Sequence, residues 1–370
     1  MIRKSSGKAF ALGLGTAAFV AAGVLTTAPA KADMVADFYK GRDITFIVGF
    51  SVGGSYGAYS RLLARHMSQY IPGKPNIVVK HRRGGGGLRA ANYLYNVAPK
   101  DGTMLGFLAD SLAVAQLMFP KKAKYDAAKM TYIGRLTPVN PVVMIRNDHK
   151  VKNIKDVLNN EVIISCSGKG SQSFIMPKAM KEILGMKFRL ICGYKGSAPQ
   201  SLALERGDVH AQSSAWASWR IRRWDDVQSG KLIPLVQIGL KREKDLPNIP
   251  LMQDLTNDQD EKTILEFLSV GGAVGRTLIA PPGVPGDRIA ALRAAFQKTV
   301  KDDKFLADAK KRKANIDPLT GEELDAITKK ALATPKPLVE RTRAALQGYT
   351  KNCTKDCVKK KKKKAKDGSS

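Results

Sequence analysis

The sequence predicts an α/β protein of two lobes, each a mostly parallel sheet flanked by helices. The chain leaves the first lobe, builds the second and returns. Three observations carry this. Between residues 35 and 350, short β-branched and aromatic runs alternate with helical periods. The alternation starts afresh near Pro141. After Pro281-Pro282-Gly283 only helical periods follow, so the closing block starts no third sheet and must pack on a lobe already built. With 370 residues, 44% of them hydrophobic, the chain can fill two such cores. That excludes a disordered chain, a collagen-like repeat and a small disulfide-stapled scaffold.

The elements follow in order. Asp43–Phe50 reads as a strand, and Tyr59, Leu62, Leu63, Met67 and Tyr70 then share one face of a helix. A strand at Asn76–Lys80, a glycine block, a helix through Tyr93 and Tyr95, and a strand at Thr103–Leu108 complete the first run. The second copy places strands at Val142–Arg146, Val162–Cys166, Phe188–Cys192 and Leu232–Ile238. Its helices fit Lys152–Asn159, Gln172–Leu184, Ala198–Glu205 and Glu261–Leu268. Gly271-Gly272 leads into an apolar run ending Ile279-Ala280. From Asp287 onward Ile289, Leu292, Ala295, Phe296 and Val300 keep an apolar stripe. The expected division is a cleaved signal peptide over residues 1–32, a first lobe over 33–138 and a second over 139–268. Residues 269–350 return to the first lobe, and 351–370 form a disordered tail.

The two ends are not fold. Arg3, Lys4 and Lys8 precede an uncharged stretch from Ala9 to Ala30, and Ala30-Lys31-Ala32 offers small residues for cleavage before Asp33. The stretch is long enough for an uncleaved anchor, but Ala, Gly and Thr make it only weakly apolar. The expectation is export to the periplasm. The last 20 residues carry nine lysines against Asp356 and Asp367, a block that repels itself. The formal net charge is +30. Taking off the four basic residues of the first segment and the net +7 of the tail leaves +19, so the basic excess is general and favours anionic partners.

Four cysteines are too few for a disulfide framework. Cys166 and Cys192 each end a strand-like run, so they bridge if those strands are neighbours and otherwise stay buried thiols. Cys353 and Cys357 can pair if the tail turns.

Ligands in open parallel sheets sit beyond the carboxyl ends of the strands, where helix N-termini point N–H donors at them. Three glycine–serine turns fall there: Ser51-Val52-Gly53-Gly54-Ser55-Tyr56, Ser167-Gly168-Lys169-Gly170-Ser171, and Gly196-Ser197. Each reads singly as an ordinary strand-to-helix turn. Together, from two lobes, they read as a cleft that grips one anion from both sides. Neither phosphate-loop nor dinucleotide spacing is present. The four histidines lack metal-ligand spacing, no nucleophile elbow occurs, and acids near the turns are few. No catalytic residue, metal or cofactor is expected. The basic residues are spread rather than interleaved with aromatics, so nucleic acid is not expected as a partner.

The turns sit in blocks that resemble a known family. Gly49-Phe50-Ser51-Val52-Gly53-Gly54 with Tyr59 to His66 is similar to the first loop and helix of the tripartite tricarboxylate transporter substrate-binding proteins, the TctC or Bug family. Ile77-Val78-Val79, Gly84–Gly87, Ala90 to Leu94 and Ala98 to Thr103 resemble its second block. Tyr194 to Pro199 with Ala203 to Val209 resembles the third, and Ala280 to Pro285 the returning segment. The resemblance covers Phe38 to Leu346 in order. It implies a periplasmic two-lobed Venus flytrap of type II, a monomer that closes on a small di- or tricarboxylate or aromatic acid. It further implies delivery to a permease of one large and one small integral membrane subunit. Carried over, Ser51, Gly53, Gly54, Ser55 and Tyr56 would hold the anion from one side, and Ser167, Gly168, Lys169, Gly170, Ser171, Gly196 and Ser197 from the other. The chain departs from the family pattern at Val52, Gly57, Arg83 and His210; the loss of two acids and the gain of Arg83 predict a more positive cleft and a more highly charged anion, or a lost native ligand. A sensor input for a signalling receptor and a polyanion binder using the Lys-rich tail remain the other readings.

Overall fold

The computed structural model describes residues 31–347. The expected signal segment up to Ala30 and the lysine tail, with Cys353 and Cys357, lie outside the described residues. The first lobe contributes β1 (Asp43–Val48), β2 (Asn76–His81), β3 (Met104–Phe107) and β4 (Thr131–Arg135). The second holds β5 (Pro141–Arg146), β6 (Val162–Cys166), β7 (Phe188–Cys192), β8 (Ala211–Ala215) and β9 (Leu232–Gln237). The chain then returns with β10 (Thr277–Ala280) and β11 (Leu319–Thr320). The sheet orders are β11-β4-β10-β3-β1-β2 and β7-β6-β8-β5-β9.

Each sheet contains a strand that runs against both of its neighbours. β10 is antiparallel to β3 and β4, and β5 is antiparallel to β8 and β9, whereas β1 runs parallel to β2 and β3, and β6 to β7 and β8. The reversal follows from where the chain crosses. The cleft lies at the carboxyl ends of the parallel strands, so a strand that enters a lobe from the cleft must run away from it. β5 and β10 are the strands that follow the two crossings.

Those crossings lie side by side and form the hinge. Leu136 N–H donates to Arg276 O at 2.8 Å, Arg276 N–H to Thr137 O at 2.9 Å, and Val139 N–H to Gly272 O at 2.9 Å. Gly275 has φ +62°, and a Cβ there would meet Thr137 O at 2.1 Å, so this turn accepts only glycine. The turn delivers Arg276 into the cleft.

Both faces of both sheets are covered. In the first lobe Ile44, Phe46 and Val48 pack with Tyr59, Leu62, Leu63, Leu292 and Phe296, while Ile47, Leu88, Leu94 and Tyr132 build the opposite face with Leu324. In the second, Val143, Ile145 and Ile164 meet Ile175, Met176 and Phe188, and Val142 and Met144 meet Trp216 and Trp219. This two-sided burial explains the near-continuous apolar strands.

The assignment of all of residues 269–350 to the first lobe needs correction. Val339 and Leu346 of the Lys336–Leu346 helix are buried in the second lobe's core, and Arg343 Nη2 donates to Leu117 O at 2.6 Å. Val114 and Met118 of the Leu112–Met118 helix, placed before the first crossing, lie in the same core. The Lys336–Leu346 helix packs its apolar stripe on the Gln172–Ile183 helix, and the Leu112–Met118 helix packs on Lys336–Leu346 as well as on the first lobe's Gly321–Leu332 helix. β6 and β7 are neighbours with Cys166 opposite Cys192, and the two are joined as a disulfide.

Candidate functional site

A cavity of about 70 Å³ lies between the lobes, at the carboxyl ends of both sheets. Three helix N-termini converge on it: Ser55–Met67 from the first lobe, and Gln172–Ile183 and Ser197–Arg206 from the second. None of the three has a side-chain cap. Away from the cavity, Asp258, Asp302 and Thr320 cap their own helices, whereas Gly286–Thr299 and Lys336–Leu346 have no side-chain cap either, so it is the convergence of the three termini that marks the site. First-turn N–H groups lacking an intrahelical acceptor are donors for an anion, and the partial positive charge of each terminus points the same way.

Charged groups in the cavity are buried and balanced. Arg276 Nη1 lies 3.4 Å from Asp110 Oδ2, with both side chains less than a tenth exposed. Arg276 Nε and Nη2 donate to Ser55 Oγ at 3.1 and 2.9 Å, and its guanidinium lies 3.8 Å from the Tyr56 ring centroid. Tyr56 stacks on Phe50 at 4.5 Å and its hydroxyl accepts from Asp110 N–H at 2.8 Å. Burial pushes the Asp110 carboxyl above the usual range, against the pull of Arg276. Burial likewise raises the Tyr56 phenol, which stays protonated at any physiological pH.

The second lobe supplies uncharged polar groups. Gln172, 7% exposed, has no protein partner for either amide atom, and Ser213 Oγ has none either; Ser51 Oγ, on the first-lobe loop and outside the cavity lining, is also buried without a partner. Ser173 Oγ bridges Ser171 Oγ and the Ser167 backbone N–H, while Gln200 donates to Ser167 Oγ and Gly196 O. An unmatched buried amide costs about 1–3 kcal/mol, so this set is built for something with oxygens to receive and offer bonds.

Of the residues anticipated from sequence, Gly54, Ser55, Tyr56, Ser167, Ser171 and Ser197 line the cavity. The remaining loop glycines make lobe-to-lobe contact instead. Gly170 N–H donates to Gly85 O at 3.2 Å; a Cβ on Gly168 would stand 2.8 Å from Gly86 N, and one on Gly196 2.6 Å from Ser51 Oγ. A Cβ on Gly53 would stand 2.7 Å from Arg222 Nη1. Lys169 does not reach the cavity; it is exposed and lines an outer groove. The predicted gain of positive charge in the cleft is also corrected. Arg83 is exposed, and His210 lies at the far end of β8 with its ring 4.4 Å from that of His149. The charged side chains lining the cavity are Arg276 and Asp110, which cancel. Asp110, Gln172, Ser173, Gln200, Ser213, Ser214 and Arg276 escaped the sequence reading.

Two lobes joined by a double hinge and closed over a polar cavity define a solute-binding protein of the periplasmic-binding-protein architecture. The description "Tripartite tricarboxylate transporter family receptor" matches residues 60–341, and the chain belongs to that family. Its members are periplasmic substrate-binding receptors, not enzymes. The chain is 29% identical over 297 residues to a UPF0065 protein of the gbd 5′ region from Cupriavidus necator, covering 77% of this chain and 82% of that one. It is 27% identical over 242 residues to protein BugT of Bordetella pertussis, covering 62% and 71%. Among solved structures, the periplasmic binding protein BugD superposes with a TM-score of 0.67 at 23% identity, covering 83% of this chain and 98% of that one. MatC from Rhodopseudomonas palustris, solved with bound malate, gives 0.64 at 19%, covering 80% and 99%. Among the described residues no helix is long and apolar enough to cross a membrane.

Proposed function

We propose that this receptor captures a small aliphatic carboxylate in the inter-lobe cavity and delivers it to a tripartite membrane permease of one large and one small subunit. The observation that carries the reading is the convergence of three uncapped helix N-termini, from both lobes, on buried polar groups that the protein leaves unmatched. Because Arg276 is already neutralised by Asp110, the carboxylate is held by N–H groups and hydroxyls rather than by a free cation. With the lobes this close the cavity has room for about two waters at roughly 30 Å³ each, so the lobes must part slightly to seat even a small acid. Its serine- and glutamine-rich lining favours an acid with several oxygens over an aromatic one. Malate in MatC and adipate in another R. palustris neighbour support that class.

Magnitudes agree. Charge-assisted hydrogen bonds contribute about 1.5–3 kcal/mol each, so four or five, less the ordering cost, reach the roughly −8 kcal/mol of micromolar binding. The closed form alone gathers contacts from both lobes, so ligand shifts the population toward it. Export by residues 1–32 places the receptor in the periplasm, where it works as a monomer. Thermal unfolding against a panel of small carboxylates at fixed ionic strength tests the reading. One or two acids should raise the melting temperature by a few degrees. A flat panel beside a shift with polyphosphate would overturn it.

A further inference from the structure

Outside the solute cavity, a groove of about 710 Å³ runs along the first lobe beside the mouth of the cleft. Arg82, Arg89, Lys122, Lys124 and Lys169 line it, and no carboxylate does. None of the five pairs with an acid among the described residues, although Arg65, Arg146, Arg223 and Arg293 elsewhere do. The floor is carbon: Leu88, the Tyr93 ring with the Arg82 guanidinium 3.9 Å from its centroid, and Val97, which is 66% exposed.

The lysines are positioned by a built support. Asn92 Nδ2 donates to Lys122 O at 3.0 Å and its Oδ1 accepts from Lys124 N–H at 2.8 Å, while Asn96 Nδ2 donates to Lys124 O at 2.6 Å. Two asparagines one helical turn apart thus hold the 122–124 segment against the Leu88–Asn96 helix and hold both lysine positions at the rim.

Four of the cations belong to the first lobe; Lys169 comes from the second. It sits at the tip of the Ser167–Ser171 loop, between Gly168 and Gly170, whose backbones press on Gly85 and Gly86. Ser111 Oγ, donating to Gly170 O at 2.7 Å, fastens the same tip. Lys169 therefore joins the other four when the lobes are together and leaves with the second lobe when they part.

We infer that this groove docks an acidic segment of a partner protein that carries apolar side chains, and that it binds this segment most tightly when the lobes are closed. The cationic rim matches acids, and the carbon floor matches the apolar side chains, which a bare polyanion does not offer. In the proposed function that partner is the membrane permease, and a surface completed by closure lets it tell a loaded receptor from an empty one. The inference rests on that function for its purpose, but its test does not need a solute.

The probe is a short fluorescein-labelled peptide of repeating Glu-Glu-Leu, followed by anisotropy on the full chain. Gly54→Cys with Ser197→Cys locks closure on oxidation, since a Cβ on Gly54 would lie 2.8 Å from Ser197 Oγ. The oxidised double variant should bind the peptide roughly fivefold or more tightly than the parent protein under the same conditions, in which both keep the Cys166–Cys192 disulfide. Lys122→Glu with Lys124→Glu should weaken binding by about tenfold or more in both states. Lys169→Glu should weaken only the locked state, and unchanged melting of these surface variants serves as the folding control. Equal peptide binding by the Lys122→Glu/Lys124→Glu protein would place the affinity in the tail or the general charge and overturn the inference. So would tighter groove-dependent binding of oligothymidylate or phosphatidylglycerol vesicles, or equal affinity in the locked variant and the parent. A receptor that binds no carboxylate leaves all these readings intact, so the two proposals fail separately.

Discussion

Asp110→Asn isolates the most consequential charge in the cleft, because it removes one partner of a buried pair while keeping the side chain's shape. At an effective dielectric constant near 20, unit charges 3.4 Å apart attract by about 5 kcal/mol. Removing one member of such a pair costs about 3–5 kcal/mol, since the other charge is left buried. The asparagine carbonyl still accepts from Arg276, which places the variant at the lower end. In a chain of this size each kcal/mol moves the melting temperature by about 1–2 °C, so a drop of about 4–6 °C is expected. Arg276→Met should cost at least as much, as it also loses the bonds to Ser55 and the stacking on Tyr56. The double variant should recover part of the loss, with a coupling near 2 kcal/mol. Function moves the other way: Asp110→Asn frees a buried cation beside the cavity, so an anionic solute should bind more tightly to a less stable protein. Paired thermal denaturation and titration calorimetry read both. Additive single variants, or weaker anion binding by Asp110→Asn, would refute the view that Asp110 neutralises Arg276.

Other outcomes follow from single features. Gly168→Ala puts a methyl 2.8 Å from Gly86 N, so it should hold the lobes apart and weaken solute binding by roughly tenfold, with the melting temperature of the empty protein unchanged. Reducing the Cys166–Cys192 disulfide, whose partners are 26 residues apart, should cost about 3–4 kcal/mol in denaturant titration. Burial, helped by Asp245, raises the Glu243 carboxyl to about 6 from its ordinary 4.5. The native state then holds a proton the unfolded chain has lost, so stability should fall as pH rises through the window from 4.5 to 6. Glu243→Gln should flatten that slope, whose total is at most about 2 kcal/mol and smaller after solvent screening.

The alternation of strand and helix was legible because two-sided burial writes itself as apolar runs. Val162–Cys166 ends where expected for that reason, whereas Phe188–Cys192, an edge strand with Arg189, Ile191 and Cys192 exposed, was legible only from its short β-prone run. β8 was not legible. Its Ala-Gln-Ser-Ser-Ala lacks an apolar face although it is wholly buried in the middle of the second sheet. The cause is the site itself: Ser213 and Ser214 face the cavity, and Gln212 is consumed by Ser201 Oγ and Ser197 O. A central strand that lines a polar cavity gives up the pattern by which strands are found. Asp110 lies just beyond β3 at the carboxyl edge of the first sheet, but no glycine–serine turn marks it, and a single acid after an apolar run carries no signature of its own. Arg276 could be reached only through tertiary structure, because its partner is 166 residues away and a glycine turn brings it there. Gly168, Gly170 and Gly196 were legible as special positions but not in their task, since a close backbone approach for lobe contact looks the same in sequence as one for a ligand.

Titration calorimetry of Tyr56→Phe and Gln172→Leu with the acid that stabilises the protein most tests capture between the lobes directly, because each variant alters one lobe's side of the cavity. The account predicts that the parent protein binds one equivalent and that each variant loses about tenfold or more in affinity, with Gln172→Leu melting close to the parent and Tyr56→Phe, which strands the Asp110 N–H, a few degrees below it. Full affinity in both variants, or loss confined to one lobe, would contradict it.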